Sequence, residues 1–235
     1  MKGFIRIAAL LLCAMLFMAT ACTGAEKPIS TPEPTEAITP PARKAGKMLV
    51  TYPYGPYSFT DAFINADAVY ALTVGNWLGE TDEGLGVTFF EASIERVYKG
   101  EELTSIVLVQ EGTSKATIPG YPLFTAGNRV LLFLGKWIDN SEYKNAFHII
   151  GGSASVCDIV ELSNGEQFVI DRQGYLTKEE NEAEFVSNKL KDYPAVYAAY
   201  AEYDPILAEW DCFSRTRYAH SLDDIDAYFK AQDVD

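Results

Sequence analysis

The chain has 235 residues, 48% of them hydrophobic, and a formal net charge of −14 at pH 7. This length permits one sizeable hydrophobic core, with at most a small appended subdomain. A surface this acidic repels phosphate backbones and anionic lipid headgroups, so we expect no nucleic-acid partner and no direct adsorption to a membrane.

The first residues have the pattern of a bacterial export signal that ends at Cys22. A basic start precedes the apolar run 7–18, which is shorter than the ~20 residues of a membrane-spanning helix. The small residues 19–21 stand directly before Cys22, as cleavage by a signal peptidase requires. This arrangement resembles the lipobox of bacterial lipoproteins. The resemblance implies removal of residues 1–21, acylation of Cys22, and anchoring on the extracytoplasmic side of the cell membrane.

Two acyl chains on Cys22 would anchor the protein stably, because each buried CH₂ contributes ~0.8 kcal/mol whereas a single chain binds only marginally. The alternative is an ordinary secretory signal that is cut near Ala21 and leaves Cys22 unmodified. Ala19 stands where a lipobox usually has leucine, which is a small departure. Removal of the leader also removes Lys2 and Arg6, so the formal net charge of the mature chain would change from −14 to −16.

Residues 22–47 have the composition of a tether. They are rich in Pro, Thr and Glu and contain few apolar side chains. Such a segment buries too little surface to offset its chain entropy, and proline keeps it extended. We therefore divide the chain into a signal peptide, the tether, a β-barrel domain and an acidic helical subdomain, over residues 1–21, 22–47, 48–175 and 176–235.

Short strands separated by turn residues fill the region 48–175. The clearest is 87–98, in which apolar and polar residues alternate. Asn164-Gly165 predicts a type I′ hairpin turn, and Gly75 predicts a bulge. We predict a short helix over 59–66 and strands at the start of 48–57 and over 68–78, 87–98, 105–110, 129–134, 146–150, 155–162 and 167–171. The fold is therefore expected to be mainly β, with a small antiparallel barrel or sandwich.

Beyond Lys178 the apolar spacing becomes helical. We predict helices over 179–191, over 194–210 with a break or kink at Pro205, and from Ser221 onward, where serine serves as the N-cap. Residues 178–235 contain 14 acidic and six basic side chains. The barrel is therefore expected to carry an acidic C-terminal α-helical extension.

The strand pattern over residues 60–175 is similar to that of uncharacterised secreted bacterial proteins with an OB-like barrel, related in shape to the netrin/TIMP-like module. The segments that carry the similarity are Asn65–Tyr70, Phe90–Gly100, Ile106–Gln110 and Phe124–Leu134. The resemblance implies a small closed barrel. It does not imply protease inhibition, because TIMP-type inhibitors use a free amino-terminal cysteine at the barrel. Here Cys22 would be acylated and separated from the barrel by the tether.

Cys157 and Cys212 remain as a pair in a compartment that permits disulfides. A bridge between them would close a loop of roughly 55 residues and contribute up to ~4 kcal/mol in the chain-entropy model. The alternative is two separate buried thiols. The sequence leaves both open.

The sequence contains few residues suited to catalysis. Ser153 lies in a near match to a nucleophile motif, but we expect it to occupy a hairpin turn between antiparallel strands. We expect His148 to be a partly buried, hydrogen-bonded strand residue, and His220 is the other histidine of the chain. Glu91 and Glu95 could share one strand face as an acid pair, although a solvated face is the better interpretation. We expect no metal and no cofactor, because no metal-binding or nucleotide-binding motif is present.

Four tyrosines recur at helical spacing in the C-terminal part, namely Tyr193, Tyr197, Tyr200 and Tyr203. They would lie on one side of a helix. One interpretation is an interaction face for a sugar or a partner protein. The other, which the composition favours, is packing of this helix against the barrel with the hydroxyls at the rim.

Together these patterns predict a lipid-anchored extracytoplasmic protein with a non-catalytic binding or interaction role at the cell envelope. Its partners would be the membrane, through the lipid on Cys22, and a protein or a carbohydrate. Two alternatives stay open: an envelope hydrolase that uses carboxylates, and a structural accessory subunit of a membrane complex.

Overall fold

The computed structural model describes residues 59–81, 86–118, 121–137, 143–172, 188–203 and 217–232. The predicted leader, the tether and the predicted strand within 48–57 lie outside these residues. The helices are α1 (Phe59–Asn65), α2 (Pro194–Tyr203) and α3 (Leu222–Gln232). The strands are β1 (Ala68–Thr81), β2 (Val87–Lys99), β3 (Ser105–Glu111), β4 (Arg129–Lys136), β5 (Ala146–Ile149), β6 (Val156–Glu161), β7 (Gln167–Asp171), β8 (Asn188–Lys189) and β9 (Tyr218–Ser221).

The first five strands form a closed barrel in the order β1–β2–β3–β5–β4, with β4 paired back to β1. The mainly β prediction, with a small barrel and a C-terminal helical extension, is confirmed. The barrel is not antiparallel throughout, because β3 and β5 are parallel. A closed ring with an odd number of strands cannot alternate direction at every step, so one parallel pair is unavoidable.

Strand alternation fills the barrel with apolar side chains. On β1 the inward residues are Tyr70, Leu72 and Val74, all fully buried. On β4 they are Val130, Leu132 and Leu134. Each fully buried side chain of this size contributes about 1.5–3 kcal/mol. The Tyr70 hydroxyl donates to the Glu101 carbonyl oxygen at 2.8 Å, so this buried tyrosine has a hydrogen-bond partner.

The bulge predicted at Gly75 is confirmed. Gly75 and Asn76 together oppose Glu91, since Val74 pairs with Ala92 and Trp77 pairs with Phe90. A Cβ at Gly75 would lie 3.3 Å from the Glu91 Cβ. Glycine therefore allows the two strands to approach closely at the bulge.

A second part of the same sheet grows from β4. The first half of β4 pairs with β6, and the sheet continues through β7, β9 and β8. Both β5 and β6 are antiparallel to β4, so they run in the same direction along one edge of it. They are joined by a 3₁₀ turn, Gly152–Ser155. The expectation of a hairpin around Ser153 was therefore wrong.

The turn between β6 and β7 contains Asn164-Gly165 but is not type I′. Of these two residues only Gly165 has positive φ, at 86°. Asn164 does not, since Asn145 is the one non-glycine residue with positive φ in the described part of the chain. The Gly165 N–H donates to the Leu162 carbonyl oxygen at 2.9 Å. This is a type I turn followed by a left-handed glycine, the usual three-residue hairpin loop.

The C-terminal residues supply strands as well as helices. Helix α2 occupies the described part of the segment predicted over 194–210, α3 lies where it was predicted, and the Ser221 Oγ accepts from the Asp224 N–H at 3.1 Å as an N-cap. The helix predicted over 179–191 is wrong at its described end, where β8 and a 3₁₀ turn at Leu190–Asp192 stand instead. Strand β9 was not predicted. It pairs with β7, and this pairing places α2 and α3 on opposite faces of the sheet.

Helices α1 and α3 cover the outer surface of β1 and β4. Phe63 stacks on Phe229 with ring centroids 5.0 Å apart, and Phe59 packs edge-on against Phe133 at 5.6 Å. The Asp226 carboxylate of α3 accepts from the Tyr98 hydroxyl at 2.6 Å, which fixes the helix to β2. Among the described helices, none has the length and apolar character needed to cross a membrane.

Candidate functional site

On the outside of the barrel, residues 87–91 of β2 lie beside β3 and β5 in a three-stranded face, and no helix of the described part of the chain belongs to its apolar cluster. The register aligns its outward residues in three rows. The central row is Phe89, Val109 and His148, and the two flanking rows are Val87 with Glu111, and Glu91 with Val107 and Ala146. This face lies at one side of the barrel, beside the connection from β4 to β5.

Two aromatic side chains from that connection form an upper layer over the central row. The Tyr143 ring lies 4.9 Å from the Phe89 ring, and the Trp137 ring meets the His148 ring edge-on at 5.9 Å, both measured between centroids. Phe89 and Val109 are buried, whereas Trp137, Tyr143 and His148 are partly exposed. We call Phe89, Trp137, Tyr143 and His148 the aromatic face. Because its lower layer is buried, the outer rings are held in place before any ligand arrives.

His148 occupies this position because Gly135 has no side chain. Gly135 is the cross-strand partner of His148, and a Cβ at Gly135 would lie 2.5 Å from the His148 Cε1. The imidazole therefore lies directly over the β4 backbone. Its Nδ1 is buried and finds no hydrogen-bond partner among the described residues. The expected partial burial of His148 is confirmed, but the expected hydrogen bond is not seen at Nδ1.

We expect Gly135→Ala to displace the His148 ring and to loosen Trp137 with it. Overpacking of this kind costs about 1–3 kcal/mol, measurable by urea unfolding. Gly79→Ala is the matched control on the same face, because its Cβ would lie 3.8 Å from the Tyr143 Oη, an ordinary contact distance. Adding His148→Ala to Gly135→Ala should recover part of the loss. Equal unfolding free energies for the two alanine variants would contradict the close contact.

A second cluster of functional groups is buried between the sheet and α2. The Arg172 guanidinium donates to both oxygens of Asp158, from Nη2 at 2.6 Å and from Nε at 3.1 Å. The Tyr200 hydroxyl donates to Asp158 Oδ2 at 2.9 Å. All three side chains are buried, and burial raises the pKa of Tyr200 well above its ordinary value. Because all three side chains are buried, we interpret the cluster as the attachment of α2 to the sheet.

The four tyrosines predicted to share a face differ in their exposure. Tyr200 is fully buried in the cluster described above. Tyr193 and Tyr203 are partly buried against the same side of the sheet, whereas Tyr197 is 42% exposed. Tyr200 and Tyr203 stack with ring centroids 6.3 Å apart. A docking surface on α2 would therefore consist mainly of Tyr197, while Tyr200 belongs to the core.

The remaining candidate residues lie apart from the aromatic face or outside the described residues. Cys157 is buried and forms no disulfide within the described part of the chain, and burial raises the pKa of its thiol. Its predicted partner Cys212 and the predicted lipid-attachment residue Cys22 lie outside the described part of the chain. The disulfide and the lipid therefore stay predictions.

The carboxylates proposed as an acid pair are each held by another side chain. Glu95 accepts from the Arg129 Nη2 at 2.5 Å, and this hydrogen bond lowers the pKa of Glu95 below its ordinary value. Glu91 accepts from the Asn76 Nδ2 at 3.0 Å. His220 is buried, and burial lowers its pKa to about 4. In the described ranges, His, Cys, Asp and Glu side chains form no group of three suited to a metal ion.

A groove of about 440 Å³ lies between the β6–β7 turn and the start of α3. Its cation is Arg96, which is already bound to Asp226 of α3. The lining also includes Glu166 and Asp223, so the groove mixes both signs of charge. Because its cation is already paired and its charges are mixed, we consider this groove a weaker candidate for a binding site than the aromatic face.

Trp137 and Tyr143 were missed by sequence reasoning, although both were visible as large aromatic residues at the ends of a polar connection. Comparison of the chain with protein-family models finds no match, and comparison with curated proteins finds none. The site must therefore be interpreted from its own geometry and charge.

Proposed function

We propose that this chain is a lipid-anchored extracytoplasmic protein that binds a partner at the bacterial cell envelope through the aromatic face, without catalysis. The observation that carries the proposal is the two-layered aromatic cluster on the outer side of β2, β3 and β5. Small five-stranded OB barrels bind ligands on strands 2 and 3, between the loops that follow strands 1 and 4. The aromatic face occupies that position in this barrel.

The charge of the chain narrows the class of ligand. OB barrels are known to bind oligonucleotides and oligosaccharides. A net charge of −14 opposes a polyanion. A protein or a carbohydrate is therefore the partner that the charge of the chain favours.

The hydrolase alternative has less support. A carboxylic acid that protonates a substrate near neutral pH needs a raised pKa, but the bond from Arg129 lowers the pKa of Glu95. The accessory-subunit alternative would use α2, where Tyr197 is the exposed tyrosine. We keep both as alternatives behind binding through the aromatic face.

The binding role is tested by capture from the protein's own membranes. The measured quantity is the amount of cross-linked protein or glycan that is recovered with the lipoprotein. We expect the variant W137A/Y143A to recover at least tenfold less of this partner than the unaltered protein, because the two rings are the anchoring contacts. Tyr197→Ala is the matched control and should capture normally. Identical capture by W137A/Y143A and the unaltered protein would show that the aromatic face does not bind the partner. A loss of capture confined to Tyr197→Ala would show that the partner binds α2 instead.

A further inference from the structure

We infer that Asn164 is a site of spontaneous deamidation, and that hydrogen bonds to Glu166 slow this reaction in the folded protein. The product is aspartate or isoaspartate, each with a negative charge that asparagine lacks. Asparagine is one of the thermolabile residues, and Asn164 is the only asparagine of the chain that is followed by glycine. This inference goes beyond the proposed function, because the modified turn is not part of the aromatic face.

The reaction joins atoms of two neighbouring residues. Solvent hydroxide removes the proton of the Gly165 backbone nitrogen, and the lone pair of this nitrogen attacks the Asn164 Cγ. As the new C–N bond forms, the Cγ–Nδ2 bond breaks, and Nδ2 takes a proton from water and leaves as ammonia, which regenerates the hydroxide. Water then opens the succinimide ring at either of its carbonyl groups. The net change is the uptake of a water molecule and the loss of ammonia.

The residue type and the exposure of the turn favour this reaction. Glycine has no side chain to hinder the approach of its backbone nitrogen to the preceding side chain. Asn164 and Gly165 are both exposed, and a Cβ added at Gly165 would meet no atom of a non-neighbouring residue within 4 Å. Hydroxide and water can therefore reach both reacting groups.

The hydrogen bonds of the folded turn oppose the reaction. The Asn164 Oδ1 accepts from the Glu166 N–H at 3.0 Å, and the Asn164 Nδ2 donates to the Glu166 Oε2 at 2.9 Å. The Gly165 N–H, whose proton must be lost, donates to the Leu162 carbonyl oxygen at 2.9 Å. The attack therefore requires a local opening of the turn, and only the open molecules react.

Deamidation would reverse the interaction between Asn164 and Glu166. The N–H donor that Glu166 now accepts from is replaced by a carboxylate, so a hydrogen bond becomes repulsion between like charges. Both residues line the groove between the turn and the start of α3, together with Asp223. Isoaspartate also adds a CH₂ to the backbone of a turn whose length sets the strand register. The reaction therefore makes the groove more acidic and cannot be undone by the protein itself.

The test compares the rate of isoaspartate formation in the folded full-length protein and in the same chain in guanidinium chloride. Peptide mass spectrometry with electron-transfer fragmentation detects isoaspartate at position 164, which direct hydrolysis of the side-chain amide does not form. We expect the folded protein to react about tenfold more slowly, because only locally open molecules react. Glu166→Ala should raise the folded rate about threefold, since it removes the hydrogen bond to Nδ2, and should leave the unfolded rate within about twofold.

Glu202→Ala is the matched control, because it removes an exposed acid on α2. It should leave both rates within about twofold of those of the unaltered protein. Equal rates in the folded and unfolded chains would show that the turn gives no protection, and equal folded rates for Glu166→Ala and Glu202→Ala would show that Glu166 does not hold the side chain. Absence of isoaspartate at position 164 in the unfolded chain would show that Asn164 is not a deamidation site. Each of these results overturns the inference.

Discussion

Replacing Cys22 with alanine is expected to move the protein from the membrane fraction to the medium. The thioether that would carry the lipid is lost, and with it two acyl chains that each bury many CH₂ groups at ~0.8 kcal/mol apiece. The acidic surface of the mature chain cannot replace them, because it repels anionic headgroups. Fractionation followed by immunoblotting, with metabolic labelling by an alkyne fatty acid, measures both the location and the lipid.

Cys13→Ala is the matched control for this experiment. Cys13 lies inside the apolar run, after three leucines rather than after small residues, so its replacement should leave labelling and location unchanged. Mass spectrometry of the native protein provides the opposing outcome. A first residue Cys22 without acyl groups, or a retained leader, would show that the lipobox interpretation is wrong.

Asp158→Ala is expected to destabilise the folded domain by about 3–5 kcal/mol. The substitution leaves the Arg172 guanidinium buried without its carboxylate, and an uncompensated buried charge has a large desolvation cost. Tyr200→Phe should cost less, about 1.5–3 kcal/mol, because it removes one hydrogen bond to a charged group and leaves the ion pair in place. Urea unfolding followed by circular dichroism measures both. Since small domains are stable by about 5–15 kcal/mol, the first loss is a large share of the total.

A double replacement separates the cost of an orphaned charge from the loss of packing. D158L/R172M removes both charges and keeps apolar volume, so it should recover most of the stability lost by Asp158→Ala. Glu202→Ala, at an exposed position on α2, is the control and should change the unfolding free energy by less than about 0.5 kcal/mol. A double variant no more stable than Asp158→Ala would mean that the pair itself, rather than the unpaired arginine, stabilises the domain.

Local patterns predicted the barrel strands well. In β2 the alternation of Phe90 and Ala92 with polar residues marks the inward side, and both are buried in the structure. The bulge at Gly75 was also predictable, because a glycine inside a strand pattern often marks one. These features depend on residues that are close together in the sequence, so a single chain contains the information.

Features that depend on distant pairing were not predictable. Phe89 and His148 share a row only because β3 pairs with β2 on one side and with β5 on the other. Trp137 and Tyr143 looked like loop residues, and nothing in their spacing indicates which strand they cover. In the C-terminal part, Leu190 had helical spacing but is buried next to β8, which pairs with β9. Tertiary packing overrode the helical propensity there.

The odd number of barrel strands has a mechanical consequence for the aromatic face. The parallel pair that an odd ring requires joins β3 to β5, and β5 is the shortest strand of the barrel at four residues. Parallel pairing is slightly weaker per residue than antiparallel pairing. We therefore expect the pairing of β3 with β5, which we call the seam, to be the weakest in the barrel. The central row crosses that seam, with Phe89 and Val109 on one side and His148 on the other. A ligand that contacts the rings on both sides of the seam would therefore also stabilise the pairing of β3 with β5. The amide protons of β5 would then exchange more slowly in the ligand-bound protein than in the free protein.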